Sequence, residues 1–507
     1  MAIAPSLLGS TSSISSSTLL NNQSNLADLN RQLATGERST TYGGLGSSRV
    51  QSLSLRSDIT QLEAFQSNID ILNIRIDITN LSLGRLEDIR SEARDIIDPN
   101  NFIDLGNGET FTQQAAGNFL LESIALLNEQ ADGRFIFGGN DVLNQPVENL
   151  DVILEGDGTR AGLRQVTDER LSADLGANGL GRLDTNIDPL ALDTVTLLEE
   201  VATDFGFDIA GFENDLSNVT VTSIGTDPRQ LDIQFTDQPE AGESFEVILD
   251  LPDGTQERVE LIAGIEDSFN ESFAIGADPD ATAANFEAAL RDRLDFFART
   301  ELNAASRITS ARNFFDTDGG RIPDRVDTTG GTVLPENATG LIAGTTADTV
   351  EFYTGQNDSD NPRIGQQIRV DDTITANYGL RANEAALREG ITVLAAFSLG
   401  EFTSGSTSDN QAVHASLAER ARTDLASQVN APSIQSVVQE IAGVEVIAGN
   451  AAQRHQAAID TLNGLREDIE RADPTETAVE LLTLQTQIQA SLQASSTISE
   501  LSLVNFL

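Results

Sequence analysis

Apolar residues at the start of the chain recur with a helical period. Leu19, Leu26, Leu29 and Leu33 follow the three- and four-residue spacing that places side chains on one face of an α-helix. Gly36 comes next, and glycine commonly marks the end of a helix. The pattern therefore predicts an N-terminal helix that has one apolar face and ends just before residue 36.

A longer helical pattern covers residues 47–97, which contain no proline and one interior glycine. Its apolar residues form two stripes on different faces. One stripe is typical of a simple coiled coil, whereas two indicate a helix buried on two sides, as in a multi-helix bundle or an assembled polymer. The first stripe comprises Leu62, Phe65, Ile69, Leu72, Ile76, Leu83 and Leu86, and the second comprises Ile71, Ile74, Ile78 and Leu81.

The pattern changes in the middle of the chain. After a further predicted helix over 112–131 and a short aromatic strand within 132–140, Asp, Gly, Thr and Pro increase and apolar residues alternate. A helical stretch over 280–315 makes this insert α+β. Strands are predicted at 219–223, 231–235, 245–251 and 258–263, with a hairpin turn at 252–255 and further strand pattern near 349–353 and 366–378.

From Arg381 onward the pattern is helical again, in segments at about 381–398, 408–429, 433–472 and 475–504. Pro474 stands at the start of the last segment, where its missing N–H costs no hydrogen bond. The sequence thus predicts a mainly α fold with an α+β insert. We expect the N- and C-terminal helices to pair in an antiparallel helical bundle or coiled coil, with a β-rich outer domain inserted between them.

Three domains follow from this plan. The terminal coiled-coil domain would combine residues 1–40 and 473–507, and a helical bundle with short β-hairpins would combine 41–145 and 376–472. The inserted outer domain or domains would span 146–375.

The chain is strongly acidic. It has 79 Asp and Glu against 31 basic residues, all of them Arg, which gives a formal net charge of −48. Because such a surface repels nucleic acid and anionic lipid, we expect neither as a partner. The charge is consistent with a well-solvated surface or with adaptation to salty surroundings, where screening relieves self-repulsion.

Candidate catalytic and metal-binding residues are few. Cysteine is absent, and His414 and His455 are the only histidines. Both lie in helical patterns and are interpreted as helix-surface residues. Fragments of calcium loops occur at Asp316–Asp318 and 357–361 without the full ligand pattern. The hypothesis is that the protein is not an enzyme and holds no metal or cofactor.

Membrane insertion and a cleaved leader are not expected either. No run of 18 apolar residues occurs, and the N-terminus lacks the basic region and continuous apolar core of a signal peptide.

The two ends of the chain resemble the flagellin family of bacterial flagellar axial proteins. The run LADLNRQLATGERS matches the family's leucine-rich helix, which ends at a Ser/Thr-Gly-x-Arg/Lys turn before a long bundle helix. Leu29, Leu33, Thr35, Gly36 and Arg38 occupy that pattern. The closing LTLQTQIQASLQASSTISELSLVNFL resembles the family's C-terminal helix. The resemblance covers about residues 1–140 and 350–507.

The resemblance implies a secreted structural subunit. Such proteins are exported unfolded by the flagellar type III apparatus, aided by an export chaperone, and assemble into an extracellular tube for swimming motility. The implied partners are further copies of the chain and other flagellar axial proteins, namely the hook-associated and cap proteins. The residues expected at the inner subunit interface are Leu19, Leu26, Leu29, Leu33, Leu484, Ile488, Leu492, Ile498 and Leu501.

The resemblance is compatible with two positions in the flagellum. The length and large insert favour the filament flagellin, whereas DGRFIFGG and the ending LSLVNFL look more like the hook–filament junction protein, also called a hook-associated protein. A further alternative is that the 146–375 insert acts as a surface adhesin or a glycan-bearing module.

Overall fold

A computed structural model describes residues 6–264, 271–329, 333–358, 360–402, 405–426 and 432–504. Helices account for 54% of the chain, with long helices at both ends and several β-sheets in the middle, which confirms this part of the predicted fold class. The α-helices are α1 (Ser6–Thr35), α2 (Arg49–Ile96), α3 (Phe111–Leu127), α4 (Leu150–Glu155), α5 (Leu163–Leu175), α6 (Pro279–Phe297), α7 (Asn303–Phe315), α8 (Ala385–Ser398), α9 (Thr407–Ala426), α10 (Ile434–Glu470) and α11 (Pro474–Val504).

The strands are short and concentrated in the insert. They are β1 (Gln130–Ala131), β2 (Arg134–Phe135), β3 (Leu183–Asp188), β4 (Ala191–Glu199), β5 (Asp208–Asn214), β6 (Val219–Ile224), β7 (Gln230–Phe235), β8 (Ser244–Asp250), β9 (Gln256–Gly264), β10 (Ser272–Ala274), β11 (Asp324–Val326), β12 (Leu341–Ala343), β13 (Gln367–Arg369) and β14 (Thr375–Asn377).

The chain forms two compact units. The terminal unit contains the chain up to Ile71, residues 368–375 and the chain from Val446 onward. The central unit contains 72–367 and 376–445. The division into three domains stays a prediction.

A β-hairpin packs against helices in the terminal unit. The imidazole of His455 on α10 is buried, with Nε2 2.8 Å from the Val370 carbonyl oxygen, and it stacks on Phe65 of α2 with ring centroids 5.6 Å apart. Arg454 and Asp371 form an ion pair of 2.9 Å beside it. The prediction that His455 lies on the helix surface is therefore wrong, because two segments distant in sequence cover it.

Two four-stranded sheets share one core in the central unit. Their orders are β3-β4-β7-β6, which is antiparallel, and β10-β9-β8-β5, in which β9 and β10 are parallel. Phe286 on α6 contacts Phe235, Phe245 and Phe273, which come from both sheets, with ring centroids 5.1–5.5 Å apart. One aromatic side chain of a helix thus joins the cores of the two sheets.

The predicted elements of the insert are largely confirmed. Strands β6 to β9 fall where the alternation places them, and Gly254 has the positive φ (85°) that the hairpin between β8 and β9 requires. The predicted helix over 280–315 is interrupted by a π-helical turn, Ala298–Leu302. Near 349–353 the structure has only isolated bridges, Ala161↔Thr349 and Val147↔Tyr353, instead of a strand.

Glu301 lies in the π-helical turn and belongs to a network of ion pairs around Arg420. Arg420 on α9 contacts Glu301 at 2.5 Å, Asp253 at 3.0 Å and Glu257 at 3.2 Å, and the Asp253 side chain is only 3% exposed. A single guanidinium therefore contacts three carboxylates from the β8–β9 hairpin and the α6–α7 junction and is their shared counter-charge.

Arg420→Met should destabilise the central unit by about 3–5 kcal/mol, because it leaves buried carboxylates without a counter-charge. Chemical denaturation of the full chain, followed by circular dichroism, measures the effect. Arg164→Met is the matched control, since its partner Glu155 is about half exposed, and a loss below about 1 kcal/mol is expected there. Equal losses in the two variants would contradict the assigned role of Arg420.

Candidate functional site

The residues that follow α1 are joined by backbone hydrogen bonds to the end of α10 and the short segment between α10 and α11. The Arg38 amide donates to the Glu470 carbonyl at 2.7 Å, and the Ala472 amide donates to the Gly36 carbonyl at 2.9 Å. Gly36 has φ +72°, a left-handed conformation that glycine adopts without strain and that ends α1 here. We call this the terminal junction (residues 36–38 and 470–473).

Side chains reinforce the terminal junction. Glu470 accepts from Arg56 at 2.6 Å and from the Ser52 hydroxyl at 2.5 Å, and the hydrogen bond from Arg56 lowers the pKa of Glu470. Asp473 accepts from the Thr475 amide at 2.7 Å and so caps α11, whose first residue is Pro474, as expected.

Beyond the junction, α1 and α11 contact each other. An open groove of about 430 Å³ runs between them. Its walls combine apolar, amide, hydroxyl and carboxylate side chains: Asn25, Asp28, Leu29, Gln32, Val479, Glu480, Thr483, Leu484 and Gln487.

The predicted interface residues fall into three groups in the structure. Leu19, Leu26, Leu29, Leu484 and Ile488 are half-buried, whereas Leu33 and Leu492 are exposed. The side chains of Ile498 and Leu501 lie outside the described residues. The sequence reasoning missed Thr477, which is buried, and the apolar side chains that are exposed on the same helices, namely Leu20, Val479 and Leu482.

The two helices are nearly free of charge. Residues 6–27 and 481–499 contain no Asp, Glu, Lys or Arg, although 22% of the whole chain is charged. With a net charge of −48, like surfaces of two copies repel each other. The terminal helices are therefore long segments through which copies of this chain can approach each other without placing like charges face to face.

A second apolar surface lies on α2. The residues of its first stripe from Phe65 to Leu86 are buried, as predicted, but in the second stripe Ile74 is 56% and Leu81 75% exposed. Ile71 and Ile78 are half-buried. The interpretation of α2 as a helix buried on two sides within one subunit is therefore wrong for Ile74 and Leu81, and burial in a polymer stays a prediction.

The residues considered for chemistry have structural partners. His414 is fully buried, against the prediction of a surface position, and lies within a cage of Phe102, Phe397 and Phe402 with ring centroids 5.2–5.6 Å away. Its Nε2 is 2.9 Å from the Thr112 hydroxyl. Burial lowers the pKa of His414, although the nearby Pro99 carbonyl and Asp98 carboxylate oppose this effect. Burial therefore favours the neutral form of the imidazole.

The fragments that resemble calcium loops are engaged by arginine. Asp316 and Asp318 contact Arg388 at 2.7 and 3.2 Å, and Asp316 also contacts Arg321 at 2.8 Å. Over the described ranges, no group of three or more His, Cys, Asp or Glu side chains is arranged to hold a metal ion. Among the same residues, no helix has the length and apolar content needed to cross a membrane.

Comparison with known proteins does not assign the chain to a family: no family model and no curated protein matches it.

Lowering the pH below about 6.5, the usual pKa of histidine, should destabilise the protein through His414, because the unfolded chain takes up a proton there that the folded chain excludes. The contribution is at most about 1.4 kcal/mol per pH unit for one proton. Unfolding free energies of the wild type and of His414→Gln at pH 7.5 and 5.5 measure it. The advantage of the wild type should shrink at pH 5.5, and an unchanged difference would contradict the neutral, caged imidazole.

Proposed function

We propose that this protein is a structural subunit of the bacterial flagellum that self-assembles through its terminal helices into the filament. The observation that carries the proposal is the pair of long uncharged stretches, 6–27 and 481–499, in two terminal helices whose adjoining segments are joined at residues 36–38 and 470–472, in a chain of net charge −48. The resemblance of these two segments to the flagellin family gives the proposal its biological setting.

In the proposed arrangement, α1 and α11 form an antiparallel coiled coil that lines the tube. The terminal junction supports this orientation, because the last residues of α1 lie beside the first residues of α11. The groove supports it as well, since residues 25–32 and 479–487 line it together. Leu19, Leu26, Leu29, Leu484 and Ile488 would form the seam between the two helices, while Leu20, Leu33, Val479, Leu482 and Leu492 would contact neighbouring copies.

The exposed stripe of α2 would supply a second contact between subunits. Ile74 and Leu81 are large aliphatic side chains that are 56% and 75% exposed, and covering the exposed part would be favourable by about 1–2 kcal/mol each. The insert would lie on the outside of the assembly. Export in the unfolded state by the type III apparatus, with a chaperone, belongs to the same proposal, and so do contacts with hook-associated and cap proteins. No enzymatic activity or cofactor is part of it.

The hook–filament junction protein is the second candidate. The motif DGRFIFGG favours it, and the structure places this motif in the β1–β2 hairpin, with Phe137 buried in the core. Cells lacking the gene should lose the filament and keep the hook in either case. Immunogold label along the whole filament supports the flagellin, whereas a single spot at its base supports the junction protein.

Deleting residues 1–40 or 475–507 should leave a folded chain that never polymerises, because either deletion removes one of the two paired helices. Sedimentation and electron microscopy after salt-induced assembly test this. Normal filaments from a truncated chain would contradict assembly through the paired ends.

Leu81→Asp should leave the stability of the subunit within about 0.5 kcal/mol of the wild type, because the side chain is exposed. In an assembled polymer the same change buries an unpaired carboxylate in an apolar contact, so polymerisation should be strongly impaired. The matched control is Leu190→Asp, on the β3–β4 turn of the insert and 96% exposed, which should polymerise like the wild type. Equal polymerisation of the two variants would contradict the role of the α2 stripe.

A further inference from the structure

Strand β6 forms one edge of the sheet β3-β4-β7-β6. On one side it pairs with β7 in a continuous antiparallel register from Val219↔Phe235 to Ile224↔Gln230. On its other side, no strand pairs with it among the residues that the structure describes.

The register determines which backbone groups face outward. The Thr236 amide donates to the Asn218 carbonyl at 2.8 Å, which makes 218 and 236 a hydrogen-bonded pair. Because such pairs alternate along an antiparallel ladder, residues 220, 222 and 224 bond to β7, while Val219, Val221 and Ser223 direct their amides and carbonyls away from the sheet. Asn214 donates its side-chain amide to the Val219 carbonyl at 3.2 Å. Among the described residues, the outward groups of Val221 and Ser223 have no such partner.

The composition of β6 leaves this edge unprotected. Natural edge strands are commonly blocked by charged side chains, proline or a bulge. The sequence Val-Thr-Val-Thr-Ser-Ile contains no charge and no proline, and its register with β7 has no irregularity. Val219 and Val221 pack against the core, while Thr220, Thr222 and Ile224 are exposed. The edge can therefore accept another strand without rearrangement of the sheet.

We infer that β6 pairs edge to edge with β6 of a second copy of the chain, antiparallel and two-fold symmetric about Thr222. In this register Val221 exchanges two hydrogen bonds with Ser223 of the second copy, and Ser223 does the same with Val221 of that copy. All four bonds use the outward amides and carbonyls of Val221 and Ser223. Val219, whose carbonyl accepts from Asn214, takes no part in the pairing. Thr222 lies opposite Thr222 of the second copy, and a Thr–Thr pair across two strands is favourable.

A second copy matches the outward groups of Val221 and Ser223, because these two residues lie symmetrically about Thr222. The register is self-complementary, since the same short segment supplies both strands, as a two-fold contact requires. It also brings two strongly acidic chains together along a strand that has no charge, so screening by salt should strengthen the contact. The pairing does not depend on the proposed flagellar role, because it is expected of the free chain in solution.

The absence of native cysteine makes a crosslinking test specific. In the inferred register residue 222 forms a non-hydrogen-bonded pair with its copy, with Cα atoms about 4.5 Å apart, within the range that a disulfide spans. The full-length Thr222→Cys variant, treated with oxidised glutathione as the acceptor of two electrons and two protons, should give a disulfide-linked dimer on a non-reducing gel. The yield should increase with salt concentration.

Two variants control the experiment. Thr220→Cys is also an exposed threonine on the same face of β6, but in this register it lies about 13 Å along the strand from its copy, so at least tenfold less dimer is expected. Ser223→Pro, added to Thr222→Cys, removes an outward amide that β7 does not use, so the sheet persists while the dimer is lost. Circular dichroism verifies that the fold is retained.

Three results of the crosslinking experiment would overturn the inference. They are equal crosslinking at 220 and 222, crosslinking that survives Ser223→Pro in a folded chain, and an unlinked Thr222→Cys chain whose thiol still reacts with a small reagent at high salt. Binding of a basic extended peptide to β6, with the chain remaining monomeric, would also overturn it in favour of a different partner.

Discussion

The two backbone hydrogen bonds between residues 36–38 and 470–472 are the constraint on which the arrangement of the terminal unit depends. They join two segments that are more than 400 residues apart in the sequence. The side-chain hydrogen bond between Ser52 and Glu470, which are 418 positions apart, joins the same two regions. Closing so long a loop costs conformational entropy, although the cost grows only slowly with length. Gly36, the Asp473 cap and the Arg56–Glu470 pair offset part of that cost locally. Once the junction forms, the end of α1 lies near the start of α11, and their apolar faces are within reach of each other.

Charged side chains are distributed unevenly along the chain. The acidic residues are spread over the insert and the bundle helices, where arginines pair with several of them, as Arg420 does with Asp253, Glu257 and Glu301. Uncharged segments include 6–27, 481–499 and strand β6. Repulsion between copies therefore acts over most of the surface and is weakest at these segments. A chain of this kind can remain soluble as a monomer and still associate at a few defined places when salt screens the rest.

The sequence predicted those helices and strands whose apolar residues follow a regular spacing. The periodicity of α1 and α2 and the alternation of β6 to β9 were sufficient, since each of these elements buries one face. Helix α5 was missed because it is mostly polar, and its Arg170 and Asp174 are buried as an ion pair of 2.8 Å. A charged pair four residues apart has the same appearance in a sequence whether it lies in solvent or under the Phe205 ring, which Arg170 contacts. The surface positions predicted for His414 and His455 failed for the same reason: the rings that cover them come from distant segments.

At the candidate site, too, the sequence predicted the local pattern but not which side chains are covered. Leucine spacing predicted which faces of α1 and α11 are apolar, and Leu26, Leu29 and Leu484 are half-buried in the isolated subunit. Spacing alone did not separate them from Leu33 and Leu492, which the subunit leaves exposed. The difference arises because two helices in contact cover only one face of each, so a helix with apolar residues on a wider arc keeps some of them in solvent. Side chains such as Leu33, Leu81 and Leu492 are thus the part of the apolar pattern that a single copy does not use. Their burial requires further copies of the chain or another partner with an apolar surface.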